Sequence, residues 1–519
     1  MIFRRLAIAS ILSIPRSLHR AWVALMIGLI FLQAPAAGAA LREPLFRTLD
    51  LDRGEVQEVE LANAKKVKVR LLDVQEERDS LRSAIRRATI KIEIDGTTAT
   101  VTSGNYHLPI TAGDVQIDCP ITKGYYDRHD PFEDSWGLDK EARVRIWAKD
   151  SPWMESGTFA YPVRQRWFAS PTQIGNEPSY VDGGDHPPAK HSIYYHAGND
   201  IGGCEGMIEV VSACDGLVAS AGGKAMAEYS DAPFYKPHGD YDYVYVIDAR
   251  GWFYRYAHLQ SIDPAVQPGS RVKMGQKIGV LGKEGSSGGW SHLHFDIKAK
   301  QPSGKWGIQD AYPFLWEAYV RQQKPTIIAV ARPHHLIAAG EKATFDGSKS
   351  SSANGKVARY QWTFGDGTTA EGPTAERTYV KPGSYSEILK VSDGGGNVDY
   401  DFAIVQVLDR NESAKLPPTI HASYAPTFDI KVGDPVTFKV RTFRADKGDE
   451  TWNFGDGSEP VNVRSGGSVK EHDADGYAVT VHRFQKAGHY IVSVEGIGVD
   501  QMKAVGRLAV RVGEVRPSE

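Results

Sequence analysis

Ser291-His292-Leu293-His294-Phe295-Asp296-Ile297 is the stretch on which the reading of this chain turns. Leu293, Phe295 and Ile297 alternate with His292, His294 and Asp296. A period of two predicts a half-buried strand with an apolar face and a polar, imidazole-bearing face. Two imidazoles at i and i+2 on one face are close enough to share a small site. The glycine-rich run Gly282-Lys283-Glu284-Gly285-Ser286-Ser287-Gly288-Gly289 leads into the strand, and such a run permits close approach of backbone and substrate.

Further candidate ligands lie upstream. His196 and Asp200 stand four apart, on one side of an extended chain. His258, in Tyr256-Ala257-His258-Leu259, is expected to share a strand face with Tyr254 and Tyr256. Four imidazoles and one carboxylate, on three segments and without a thiolate motif, suit zinc. A catalytic zinc takes three protein ligands and keeps a position open, which leaves two histidines for proton transfer. No His-Glu-x-x-His occurs, so a glutamate-base scheme of that type is excluded as a motif.

The segment from about 180 to 315 resembles the lysostaphin/LytM-type zinc metallopeptidases, the glycyl-glycine endopeptidases. The resemblance rests on His196-x-Gly198-x-Asp200, Ala213-Cys214-Asp215-Gly216-Leu217-Val218, Tyr256-Ala257-His258-Leu259, Gly275-Gln276-x-Ile278-Gly279 and the glycine-rich loop into His292-Leu293-His294-Phe295. It implies that His196, Asp200 and His294 bind Zn2+, and that His258 and His292 are catalytic. It also implies a peptide substrate, peptidoglycan cross-links above all. With Asp200 the loaded site would be formally +1, a charge that favours an anionic tetrahedral intermediate. Which histidine acts as base stays open. In one respect the loop departs from the family: Trp290-Ser291 stands where a single residue usually precedes the first histidine, a difference that bears on substrate preference more than on metal binding.

The rest of the chain is read as β-rich. Its 519 residues suggest three or four domains. A formal net charge of −3 argues against a nucleic-acid partner, which would call for a basic face. Arg4, Arg5, Arg16 and Arg20, the apolar run Ala21 to Leu32 and the small residues Ala34 to Ala40 follow the order of a signal peptide over 1–40, with an uncleaved membrane anchor as the alternative. Either way the expected location is outside the cytoplasm: periplasm, cell surface or medium. There a Cys204–Cys214 bridge is one reading of the three cysteines, and three buried thiols the other.

Residues 41–170 carry alternating runs, with Asp95-Gly96 as a hairpin turn, and are read as a β-sandwich-like domain. One short helix is expected over Glu76 to Arg87, where Leu81 and Ile85 stand at i, i+4. Tyr125 to Asp130 reads as a solvated loop. Residues 171–320 are the antiparallel metallopeptidase domain, with little helix. His186 and His191, in its loop 171–195, are read as bystanders to the site.

From 321 onward the chain repeats. Trp362-Thr363-Phe364-Gly365-Asp366-Gly367 recurs as Trp452-Asn453-Phe454-Gly455-Asp456-Gly457, and Lys381-Pro382-Gly383-Ser384-Tyr385 as Lys486-Ala487-Gly488-His489-Tyr490. Two immunoglobulin-like sandwiches, 321–411 and 412–519, are expected, with Trp362 and Trp452 in their cores. They resemble polycystic-kidney-disease (PKD) repeats, the second copy lacking the Phe345-Asp346-Gly347-Ser348 piece of the first. The resemblance suggests a surface polysaccharide or a protein as their partner. Two rival readings stand beside the endopeptidase: a non-catalytic relative that binds cell wall or regulates a hydrolase, and an adhesion protein in which these modules matter most.

Overall fold

In the computed structural model the described residues are 41–513, apart from 82, 126–134, 181–192, 230–242, 413–415, 446–447, 468–475 and 499–500. The leader, His186, His191 and most of the Tyr125–Asp130 loop therefore lie outside them. The chain is mostly β, built from antiparallel sheets. Residues Glu43–Glu519 form one compact unit.

The N-terminal segment packs two four-stranded sheets over a shared core of Leu51, Val67, Val69, Leu71, Ile90, Ile92, Ile117 and Val144. Alternation decides which faces meet: in Lys66–Arg78, Val67, Val69 and Leu71 are buried while Lys66, Lys68 and Arg70 are exposed. Asp95-Gly96 turns the hairpin between Ile85–Ile94 and Thr97–Thr102 with φ of 46° and 83°, both in the left-handed region. The helix expected over Glu76 to Arg87 does not form. Its first residues end the strand Lys66–Arg78, and its last begin Ile85–Ile94, with Glu77 opposite Arg87 and Arg78 opposite Ile85. Charge pairs that would support a helix at i, i+4 serve here across two strands, as in Glu77–Arg87 at 3.9 Å and Arg86–Asp79 at 2.9 Å.

The central sheet runs, in spatial order, Lys224–Ala225, Gly216–Ala221, Val244–Ile247, Phe253–Ala257, His292–Lys300, Asn199–Gly202 and Thr172–Gln173. Beside it lies a three-stranded sheet of Glu209–Val211, Lys277–Leu281 and Leu259–Ile262. Tyr254, Tyr256, Leu293, Phe295 and Ile297 are all fully buried in the core beneath. A 12-residue helix, Tyr312–Gln323, not anticipated from the sequence, closes this core with Tyr312, Phe314, Leu315, Trp316 and Tyr319. Pro313 sits in its first turn, where a missing N–H costs nothing, and it stops at Lys324 in the left-handed conformation. Cys119, Cys204 and Cys214 are buried free thiols, so the Cys204–Cys214 bridge is not formed.

The two C-terminal repeats are sandwiches with separate cores. Trp362 and Trp452 are fully buried, as the core reading of the repeated motif predicts. The long hairpin Gly383–Asp393/Val398–Leu408 of the first copy matches Gly488–Ile497/Lys503–Val512 of the second. A parallel contact between Ser384 and Ala504 joins them into one nine-stranded sheet.

Candidate metal centre

Strand register assembles the site. Asn199–Gly202 runs antiparallel to His292–Lys300 with Asp200 opposite His294 and Gly202 opposite His292. On the other side Phe253–Ala257 places Ala257 opposite His294. Asp200 and His294 thus stand side by side on the face opposite the Leu293–Phe295–Ile297 core. His196 joins them from the preceding loop, whose backbone is pinned by Asn176 N–H to His196 O (2.8 Å) and His196 N–H to Glu177 O (3.0 Å).

The donor atoms converge. His196 Nε2 lies 3.1 Å from Asp200 Oδ2 and 3.3 Å from His294 Nδ1, and His294 Nδ1 lies 2.8 Å from Asp200 Oδ1. Tetrahedral ligands about 2.0–2.1 Å from zinc stand about 3.3 Å from one another, so the set fits that ion closely. All three residues are largely buried. Burial opposes the Asp200 charge, but His196 and His294 outweigh it and hold the carboxyl well below the usual carboxylate range. Gly198 makes room: its φ is +135°, and a Cβ there would meet His294 Cε1 and Nε2 at 2.9 Å each. The other edge of the His294 ring is held by Asp296, whose Oδ2 lies 3.2 Å from Nε2. That orientation keeps Nε2–H on the carboxylate and the Nδ1 lone pair on the cluster.

His258 and His292 flank the cluster, their rings 4.7 Å apart, with His258 6.0 Å from the His294 ring. His292 Nε2 is 3.5 Å from Asp200 Oδ1. Both rings are anchored alike. His258 Nδ1–H donates to Glu284 O (2.7 Å), and His292 Nδ1–H donates to Trp290 O (3.0 Å). In a neutral ring each anchor fixes the proton on Nδ1. Burial pushes the His292 imidazole well below its ordinary range, so it is held neutral.

His258 does not share a face with Tyr254 and Tyr256, which are core residues. It sits between strands at φ +64°, in the left-handed region, and this local inversion turns its ring from the core to the site. All five residues singled out in the sequence are brought together. Three contributors were not singled out: Asp296, Trp290 and the Glu284 carbonyl. Asp296 carried a signal, a carboxylate two residues beyond His294 on the same strand face. Trp290 was visible only as an extra residue in its loop, and a backbone acceptor such as Glu284 O carries no side-chain signal.

Residues 194–304 match the profile of peptidase family M23, and residues 323–407 that of the PKD domain. Collagenase ColA of Clostridium perfringens is 30% identical over 81 residues, 16% of this chain and 7% of that protein. A microbial collagenase of Vibrio alginolyticus is 32% identical over 88 residues, 16% of this chain and 11% of that one. The chain thus spans only a small fraction of these relatives. Among solved structures, Helicobacter pylori Csd3 aligns at 18% identity over 48% of this chain and 82% of its own, with a TM-score of 0.19. The family matches and the five-residue cluster agree on one statement: residues 194–304 are a peptidase family M23 segment, followed by PKD-like repeats.

Proposed function

We propose that the protein is an exported, zinc-dependent endopeptidase that hydrolyses peptide bonds in peptidoglycan cross-links. The observation that carries this reading is the convergence of His196, Asp200 and His294 at ligand spacing, with His258 and His292 beside them. His196 Nε2, Asp200 and His294 Nδ1 would hold the ion. Zinc there would supply a Lewis acid that activates water and polarises the scissile carbonyl. His258 and His292 present Nε2 lone pairs. Either one accepts the attacking water's proton on Nε2, and the imidazolium so formed stabilises the developing oxyanion and passes that proton to the leaving amine. Peptidoglycan and export rest on the family resemblance and the leader sequence. The PKD-like repeats are proposed to hold the enzyme on a surface polysaccharide or protein.

The test measures zinc per chain together with hydrolysis of purified peptidoglycan, with and without a chelator. One zinc per chain and chelator-sensitive cleavage are expected. His294→Ala is expected to lose zinc, whereas His292→Ala keeps it and loses turnover. Stoichiometric zinc in His294→Ala would remove that ligand from the set. Zinc without cleavage of any peptide would favour a wall-binding role instead.

A further inference from the structure

Within that reading, we propose that the second C-terminal repeat is a working part of the catalytic unit: Tyr477 and Arg441 hold the loop that carries Trp290, and Trp290 positions the ring of His292. All three are positioning residues that act through His292. The Trp290 indole lies flat on the His292 imidazole, with ring centroids 3.8 Å apart and planes 18° from parallel. Trp290 also supplies the carbonyl that accepts from His292 Nδ1–H at 3.0 Å. One residue thus fixes both the plane and the tautomer of a proposed catalytic histidine.

The loop is held from a distance in sequence. Ser291 N–H donates to Tyr477 OH (2.8 Å), 186 residues on. Arg441, fully buried, donates through Nη1 to Gly289 O (2.9 Å) and through Nε to Gly467 O (2.8 Å). The hydrogen bonds around Tyr477 run in one consistent direction. Its hydroxyl accepts from Ser291 and donates to His421 Nδ1 (2.8 Å). His421 Nε2–H donates to Ser170 Oγ (3.1 Å), and Ser170 donates to Ala422 O (2.9 Å). His421 also meets the Trp290 indole edge-on at 5.3 Å. Beneath the loop Lys283 pairs with Glu205, whose carbonyl accepts from Lys439 Nζ of the same repeat at 2.8 Å. Ser291 and Arg441 are fully buried and Tyr477 nearly so, so each lost partner would strand a polar group without water.

The experiment compares full-length wild type with Tyr477→Phe, Arg441→Met, Trp290→Leu and Trp290→Phe. It measures kcat and KM on peptidoglycan fragments, zinc per chain, and the His292 Cε1–H resonance, which the indole ring current displaces. Tyr477→Phe, Arg441→Met and Trp290→Leu are expected to lower kcat about tenfold to a hundredfold with zinc content and KM near wild type. The His292 resonance should move in each, and Trp290→Phe should recover most of kcat and of the resonance position. Wild-type kcat in Tyr477→Phe and Trp290→Leu, or an unmoved His292 resonance, overturns the proposal. So does a kcat loss that only tracks zinc loss. A wild type that cleaves no peptide defeats the proposed function. The resonance then decides alone: movement in Tyr477→Phe supports the positioning role, and none refutes it.

Discussion

His294 is held at both ring nitrogens, and the two contacts do different work. Nδ1 faces Asp200 and His196, while Nε2 faces Asp296. Asp296 is buried, and the ring's hydrogen bond, together with the charges of Lys298 and Arg255, outweighs burial and lowers its carboxyl below the usual range. It therefore stays ionised and keeps the imidazole proton on Nε2. Asp296→Ala should lower zinc affinity about 10–100-fold while leaving the fold intact. Competition against a chromophoric chelator measures this; wild-type affinity would mean that strand packing alone orients the ring. Residue identity was legible here, and residue direction only in part. His292 and His294 lie on a strand whose alternation is plain, so their common face could be anticipated, whereas His196 reaches Asp200 from a loop. His258 belongs to this site but not to the face expected, because its positive φ and its tertiary partner, the Glu284 carbonyl, have no local signature.

At the scale of the element, the site depends on the pairing of Asn199–Gly202 with His292–Lys300. A slip by one residue would send the histidines to the core and Leu293 and Phe295 to solvent, which full burial of both apolar side chains forbids. Gly198 sets how closely the loop approaches that pair. Gly198→Ala puts a methyl against the His294 ring at 2.9 Å, at a φ that side chains rarely adopt. The expected result is a loss of zinc affinity of at least tenfold, with strand content preserved by circular dichroism. Unchanged affinity would show that the ring can yield without cost. Strand alternation and the Asp95-Gly96 turn made most of the sheet readable in advance. The Glu76–Arg87 segment was not, since a run rich in Arg and Glu supports a helix or a pair of strands, and the burial of Ala84 and Ile85 in a separate cluster goes with the strands. The helix Tyr312–Gln323 escaped notice because nearly all of its apolar residues are buried on more than one side, leaving a weak 3.6-residue stripe.

At the scale of the molecule, the repeats are fastened to the peptidase rather than hung from it. Arg332, buried in the first repeat, donates to Thr172 O on the strand beside Asp200 and pairs with Asp401. Tyr106 of the N-terminal segment donates to Glu177, whose backbone holds His196. A chain ending near residue 330 should therefore fail to cleave even a soluble peptide; full activity in it would show that these contacts are passive. The packing also makes stability depend on acid. His421 is 4% exposed, and burial lowers its pKa to about 3. In the unfolded chain it titrates near 6.5. Between those values the unfolded state binds a proton that the native state refuses, so its contribution is intact above about pH 6.5 and erodes as pH falls toward 3, by about 1.4 kcal/mol per pH unit. His421→Gln, which keeps a donor toward Ser170, removes that titration. Its melting temperature should fall less than that of wild type between pH 7.5 and 5. Parallel falls in the two proteins would mean that His421 takes up its proton in the native state, and that the neutral Ser291–Tyr477–His421–Ser170 chain is not what locks the second repeat to the loop that carries Trp290.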